Sequence, residues 1–249
     1  MKKLISLILI LCMACMLIPA MADADITGEW YLKTMKMGEQ EYDAQALGVN
    51  VVLTVNADNT AGMLTPDGPD PVPGTWALDG DQLTVTFEGA AMAGTAAEDA
   101  LTVEADGQVM IFTREAPVAI TVADVKAAGA AEEFYGEYTL AYMDQDGKIM
   151  DLAGLGYTTG VSIGEDKFEI LPANDNDMIA LTVGMMALSP DGFEDGALKM
   201  KSATNPDDVH GKLELLEDGM LMLSIENTQN QATMTFYLAP AAAAEEPAA

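Results

Sequence analysis

The sequence has almost no histidine or arginine. Its 249 residues include one His, His210, and one Arg, Arg114. A Ser-His-Asp triad would have to use His210, and no Gly-x-Ser-x-Gly elbow accompanies it. A zinc centre would need carboxylates for nearly every ligand. With one Arg there is no set of guanidinium clamps for phosphate. Basic residues are scarce overall, 11 Lys and Arg against 40 Asp and Glu, giving a formal charge of −29. That balance argues against a nucleic-acid partner, because phosphate binding needs Lys and Arg. Cysteine occurs only at positions 12 and 15, so the rest of the chain has no disulfide, thiolate metal site or cysteine nucleophile. Carboxylate pairs of the glycosidase kind are expected by chance among so many acids, most of which form solvated faces. The chain is therefore read as non-enzymatic, with no catalytic residue, metal or cofactor.

The apolar run at the N-terminus has a different meaning. Met1-Lys2-Lys3 is a short positive start, Leu4 to Ile18 is almost wholly apolar, and Ala20-Met21-Ala22 and Ala22-Asp23-Ala24 are small-x-small cleavage sites. This is the pattern of a secretory signal peptide over residues 1–22. The run is at the lower limit for a spanning helix, and Pro19 lies near its end. Cys15 follows Ala14, as a lipid-attachment site requires, but Cys12 stands where such a motif wants an aliphatic residue. The expectation is a secreted or cell-envelope protein with no membrane span after cleavage.

Beyond residue 25 the pattern is that of short strands. Val51 to Val55 is β-branched. Leu83, Val85 and Phe87 alternate with polar residues, as do Leu101 and Val103, and Leu221, Leu223 and Ile225 share one face. Period-two alternation marks half-buried strands. Turn signals separate them: Ala57-Asp58-Asn59, Asp79-Gly80-Asp81, Asp106-Gly107, Asp146-Gly147 and Asp218-Gly219. Asp-Gly between such runs is a hairpin signal, and hairpins make antiparallel sheets. Asp144-Gln145-Asp146-Gly147 resembles the middle of a calcium loop, but Tyr142 and Ala153 fall at its first and last ligand positions. It is read as a hairpin.

The strands fall into two halves. Gly28-Glu29-Trp30-Tyr31-Leu32 is echoed by Gly136-Glu137-Tyr138-Thr139-Leu140, Leu47-Gly48 by Leu155-Gly156, and Asp58 by Asp166, all at one constant spacing. The register then drifts, and Met110 and Phe112 correspond to Met234 and Phe236. The pattern predicts a tandem duplication over residues 25–116 and 133–239. An Ala-rich linker over 117–132 should end in a short helix, and an Ala, Pro and Glu tail over 240–249 has no pattern that could build a core. The stretch from Asn174 to His210 is hardest to read; Ile179 to Leu188 fits strand or helix.

Gly28-Glu29-Trp30 opening the first strand resembles the G-x-W motif of lipocalin-like (calycin) β-barrels. In that family the Trp lies at the barrel base and an Arg near the end of the last strand packs across it. Arg114 closes the run Met110-Ile111-Phe112-Thr113-Arg114, the position the family pattern asks for. A further Gly-x-Trp, Gly74-Thr75-Trp76, is similar to the small secreted lipocalin-like repeats of gut-type bacteria. The resemblance implies an all-β protein: two tandem small antiparallel lipocalin-like barrels or strongly curved sheets with a short helical linker. It also implies barrel closure by Gly28, Trp30 and Arg114 in the first repeat, and by Gly136 and Tyr138 in the second. There Tyr138 replaces the Trp and Leu238 the Arg, so the cation–aromatic pair is missing.

Methionine is abundant, 18 in all, and thioethers fill irregular cores or line adaptable apolar pockets. Two functions follow. In the first, the chain is an exported binding module holding a small apolar or amphipathic ligand in a barrel. In the second, the barrels are solid and the protein contacts an extracellular protein or the cell wall.

Overall fold

The computed structural model describes residues 25–241 except positions 67, 106, 146, 175, 176 and 230. The signal peptide expected over 1–22 and most of the tail expected over 240–249 lie outside these residues. Pro240 is the last residue of a strand, and Ala241 N–H donates to Glu137 O at 2.9 Å. Contacts divide the chain into two compact units. Among the described residues, the first takes those up to Leu32 together with Val51–Glu115, and the second takes Lys33–Asn50 together with those from Ala116 onward.

In the first unit the alternating runs form the strands they predict. The strands are β1 (Gly28–Met37, whose outer half leads into the second unit), β3 (Val52–Val55), β4 (Thr60–Leu64), β5 (Val72–Asp79), β6 (Gln82–Phe87), β7 (Ala90–Ala96), β8 (Ala100–Ala105) and β9 (Gln108–Thr113). Each pairs with its sequence neighbour and β9 returns to β1, closing an eight-stranded antiparallel ring. Hairpin turns set the register. Ala105 faces Gln108 across Asp106-Gly107, and Gly107 has φ +78, a conformation that disfavours residues with a Cβ. The inner face is apolar: Trp30, Leu53, Val55, Leu83, Val85, Leu101, Val103 and Phe112 are all buried.

Lys33–Asn50 belongs by sequence to the first half but packs in the second unit. There the outer half of β1 pairs with β2 (Gln40–Asp43), Thr34 facing Asp43. The loop that follows receives a hydrogen bond from Asp151 N–H to Ala46 O at 2.8 Å. A Cβ at Gly48 would lie 2.7 Å from Ile149 O, so only glycine permits this approach.

The second unit also has a long antiparallel sheet. Its strands are β10 (Val125–Lys126), β11 (Gly136–Gln145), β12 (Lys148–Asp151), β13 (Gly160–Gly164), β14 (Lys167–Leu171), β15 (Leu188–Glu194), β16 (Ala197–Ser202), β17 (Val209–Leu216), β18 (Leu221–Asn227) and β19 (Ala232–Pro240). The order runs β14-β13-β11-β19-β18-β17-β16-β15, with β12 on β11 and β10 on β17. β14 and β15 are not hydrogen-bonded neighbours in that order, so the barrel is nearly closed. One short helix, α1 (Met178–Met185), follows β14 and precedes β15. The segment that fitted strand or helix is thus both: α1 up to Met185, then β15 from Leu188.

The linker is more structured than its composition suggests. Val125 and Lys126 add a two-residue strand to β17, Ala128 is buried, and a 3-10 turn over Ala131–Phe134 leads into β11. That turn is the expected short helix. Its last residue, Phe134, is fully buried in the core of the second unit with Tyr138, Leu140, Leu213, Leu223 and Phe236.

Candidate functional site

Two ends of barrels carry the informative side chains. In the first unit Trp30 lies on β1, opposite Leu53, and is fully buried. Its indole N–H donates to Ile26 O at 2.8 Å. The Arg114 guanidinium carbon sits 3.8 Å from the indole ring centre. From there Nη1 donates to Thr27 O at 2.8 Å and Nη2 to Asp25 O at 3.3 Å. Gly28 makes room: its φ is +113, and a Cβ there would lie 2.7 Å from Arg114 Nη1. Gly28, Trp30 and Arg114 are therefore one constellation. The Thr27 hydroxyl and N–H, with a smaller contribution from the Arg114 charge, hold the neighbouring Asp25 carboxyl below its usual range. Arg114→Ala is expected to destabilise this unit by about 1 kcal/mol, the scale of an exposed cation–aromatic contact. Urea denaturation followed by tryptophan fluorescence checks this; a midpoint equal to wild type contradicts it.

The interior of this barrel is tight where Gly-Thr-Trp begins. A Cβ on Gly74 would lie 2.4 Å from Thr86 O and 2.5 Å from the Phe87 ring, and one on Gly94 would lie 1.9 Å from Thr102 O. Glycine in a strand marks such close approach. Trp76 is half-buried, with its indole N–H donating to Asn56 O at 2.8 Å.

In the second unit the corresponding end is plugged differently. Tyr138 is buried, lies opposite Val161 and Pro240, and has its phenol pKa raised by desolvation. Gly136, with φ +154, lies close beside the Tyr138 ring. Leu238, at the position of the missing Arg, is fully buried opposite Leu140. The large plug is Phe134, whose ring centre is 6.3 Å from that of Phe193. Sequence reasoning missed it, although a signal existed: Phe134 precedes Gly136 by two residues, as buried Ile26 precedes Gly28.

The opposite end of the second barrel is open to side-chain-lined space. One pocket of about 160 Å³ is lined by Met186, Val209, Ile225, Asn227, Ala232 and Met234. Another of about 230 Å³ is lined by Met143, Asp144, Gln145, Ile179, Thr182, Met234 and Phe236. Met234 is common to both. The register explains the convergence: Met143 faces Phe236, Ile225 faces Met234, and Leu223 faces Phe236. Met234 and Phe236 therefore point inward with the buried face of β18, and Met143, Met186 and Met234 all pack against the core. Met110 and Phe112 point inward in the first unit by the same logic, facing Val103 and Leu101.

Helix α1 forms part of this end through Ile179 and Thr182. Its sequence, MIALTVGM, is apolar almost all round. Ala180 and Val183 are buried, while Met178, Leu181 and Met185 are exposed. Asp177 holds it in place. One carboxylate oxygen accepts the Ala180 N–H at 2.9 Å as an N-cap, and the other accepts the Thr159 hydroxyl at 2.6 Å and the Ala173 N–H at 3.1 Å. Burial opposes the charge of Asp177, but these hydrogen bonds outweigh it, and the pKa falls below the ordinary 3.8. The folded form thus binds fewer protons than the unfolded one. The stabilisation is fully present above the unfolded value and is lost as pH falls through the lower, folded value. Asp177→Asn should therefore be less stable than wild type at neutral pH, with the gap closing below pH 3.8. Denaturation of both proteins across that range checks the sign; a constant gap contradicts it.

His210 is on the solvent face of β17, in register between Lys201 and Glu226, rather than at a sheet edge. No group of three or more His, Cys, Asp or Glu able to hold a metal occurs among the described residues. Gln145 faces Lys148 across Asp146-Gly147, with Gly147 N–H donating to Asp144 Oδ1 at 2.8 Å, so the calcium-like stretch is a hairpin.

Strand order, ring closure and the Trp30–Arg114 pair define an antiparallel barrel of the calycin kind in the first unit. Residues 26–104 match the family model of the lipocalin-like domain, so this part of the chain is similar to that family. The match covers β1 through most of β8 and stops short of Arg114. The comparisons with characterised proteins and with solved structures return no match.

Proposed function

We propose that the chain is an exported, non-enzymatic binding protein made by duplication of a lipocalin-like barrel, and that its second barrel holds a small apolar or amphipathic molecule. The observation that carries this reading is the pair of Met-lined pockets meeting at Met234. Their floor is the inward face of β18 and β19, and α1 contributes a wall. Lipocalin-like domains are ligand-binding barrels as a class, and the mouth of a barrel is where such sites form. Export rests on Met1-Lys2-Lys3, the apolar run to Ile18 and the small residues from Ala20 to Ala24. Duplication rests on the constant spacing from Gly28-Glu29-Trp30 to Gly136-Glu137-Tyr138, together with the return of the last strand to the first in each unit.

Native mass spectrometry of the full chain, gently purified from producing cells, tests this reading. A reproducible small-molecule adduct is the expected result. A clean apo mass, with no uptake from a panel of apolar metabolites, overturns it. One observation favours a second reading as an extracellular or envelope interaction protein: Met178, Leu181 and Met185 lie three and four residues apart on α1 and are all exposed. Such a stripe suits contact with a partner's apolar surface.

A further inference from the structure

The second ring is broken at one junction. Counted from the strand that each of Gly28 and Gly136 opens, β14 and β15 stand where β4 and β5 stand in the first ring. β4 and β5 are paired, Thr60 facing Thr75 and Met63 facing Val72, and residues 65–71 join them. β14 and β15 are not neighbours in the sheet, and residues 172–187, which hold α1, join them. The register puts this break beside the pockets. Phe168 faces Ile163, which faces Gly136 at the plugged end, so β14 runs away from the plug toward Leu171. Helix α1 then supplies Ile179 and Thr182 to one pocket, and Met186, just after it, lines the other.

A helix of eight residues is too short to be stable alone. Apolar packing gives α1 little support: its buried side chains are Ala180 and Val183, while Met178, Leu181 and Met185 are exposed. Polar clamps hold its ends instead. Thr159, Asp177 and Ser202 are the buried polar side chains among the described residues, and all three act on α1. At its start, the Thr159 hydroxyl, just before β13, donates to the Asp177 carboxylate at 2.6 Å, and that carboxylate caps the helix through the Ala180 N–H. At its end, the Ser202 hydroxyl donates to Met186 O at 2.6 Å, and Ala203 N–H donates to Ala187 O at 2.9 Å. The two ends differ. Ala187 alone separates Met186 from β15, and its φ of +46 lies in the left-handed region. The C-terminal end is thus tied to a strand through a strained residue. The N-terminal end is latched to the barrel wall by a hydroxyl and a carboxylate. Water can replace that contact when it breaks, which keeps the net cost of release small.

We infer that α1 is the gate of the second barrel: it pivots at Ala187, releases where Thr159 holds Asp177, and uncovers the pockets at the unpaired junction of β14 and β15. This deepens the ligand-site reading above and rests on it. A gate sets rates rather than affinity. While the closed form dominates, a weaker latch multiplies entry and exit by the same factor. Two measurements on the full chain test this, with Thr159→Val as the latch variant and Thr159→Ser as its rescue. The first is amide hydrogen exchange without ligand. The amides of Ala180 and Leu181 should exchange faster than those of β17 and β18 in wild type. Thr159→Val should speed them about tenfold further, with Ala203, β17 and β18 unchanged. The second is titration with indole, a neutral ring small enough for a pocket of this size, with rates read from methionine methyl line shapes. Thr159→Val should raise the on and off rates together by about tenfold, equivalent to about 1.4 kcal/mol in the latch, and leave Kd unchanged. Thr159→Ser should restore both rates. Equal protection of α1 and β18, or α1 exchange that ignores Thr159→Val, overturns the gate. Indole rates that ignore the latch also overturn it and leave the pocket as a ligand site. A changed Kd with an unchanged on rate makes Thr159 part of the site itself and overturns the gate. No binding of indole by the folded protein overturns the pocket reading and the gate with it.

Discussion

Trp30→Ala should destabilise the first unit by about 3–5 kcal/mol, the usual range for removing a large buried aromatic. Trp30 is fully buried on β1 and spans the barrel end beneath Arg114. The truncation removes three things together: ring packing, the N–H donated to Ile26 O, and the surface over which the guanidinium lies. Small domains have about 5–15 kcal/mol in total, so the variant should show a strongly lowered urea midpoint. Trp76 remains as the fluorescent reporter, because it too lies in this unit. Trp30→Phe should recover part of the loss by refilling the space, without restoring the hydrogen bond. A loss below about 1 kcal/mol for the alanine variant would mean the indole is not a packing element of the core.

Phe134→Ala should have an effect of the same size on the second unit, again about 3–5 kcal/mol. Phe134 is carried by a 3-10 turn of four residues with little stability of its own. The turn is held by its buried ring and by Glu133, whose carboxylate accepts the Gly129 and Ala130 N–H groups, the latter at 3.1 Å. Removing the ring leaves a cavity among Tyr138, Leu140, Leu213 and Phe236. Both tryptophans lie outside this unit, so near-ultraviolet circular dichroism of the tyrosines, or methionine methyl signals, must follow its unfolding. An unchanged second-unit transition would show that Phe134 is dispensable.

Most of the fold was legible because each strand is patterned by the water on one side of it. Leu83, Val85 and Phe87 alternate with threonines and a glutamine, and every one of them is buried. The Asp-Gly turns were legible because positive φ restricts residue choice. The first barrel's closing cluster could be found only through the resemblance, which places an Arg at the end of the last strand over the Trp of Gly28-Glu29-Trp30; the chain's one Arg stands at that position and covers that indole. Other features were not legible. Helix α1 has no amphipathic period, since its apolar residues face both the core and solvent, and period is what separates helix from strand. Its start signal, the N-cap Asp177, was hidden within an Asn and Asp cluster that reads as a loop. The pocket could not be seen because it depends on tertiary structure: Met143 and Met234 come together only when β11 and β19 pair, and Met186 reaches Met234 from the C-terminal end of α1. The packing of Lys33–Asn50 in the second unit was likewise invisible, since the backbone hydrogen bond from Asp151 N–H to Ala46 O has no side-chain signature, and Gly48, which permits the approach, does not name its partner.

The most direct test of a ligand site in the second barrel uses the chain's own methionines. In full-length protein labelled with carbon-13 at the methionine methyls, titration with indole should shift the signals of Met143, Met186 and Met234, which line the pockets. The signals of Met92 and Met110, in the first unit, should stay in place. Shifts centred on Met110, or none at any methionine while the protein remains folded, would contradict the account.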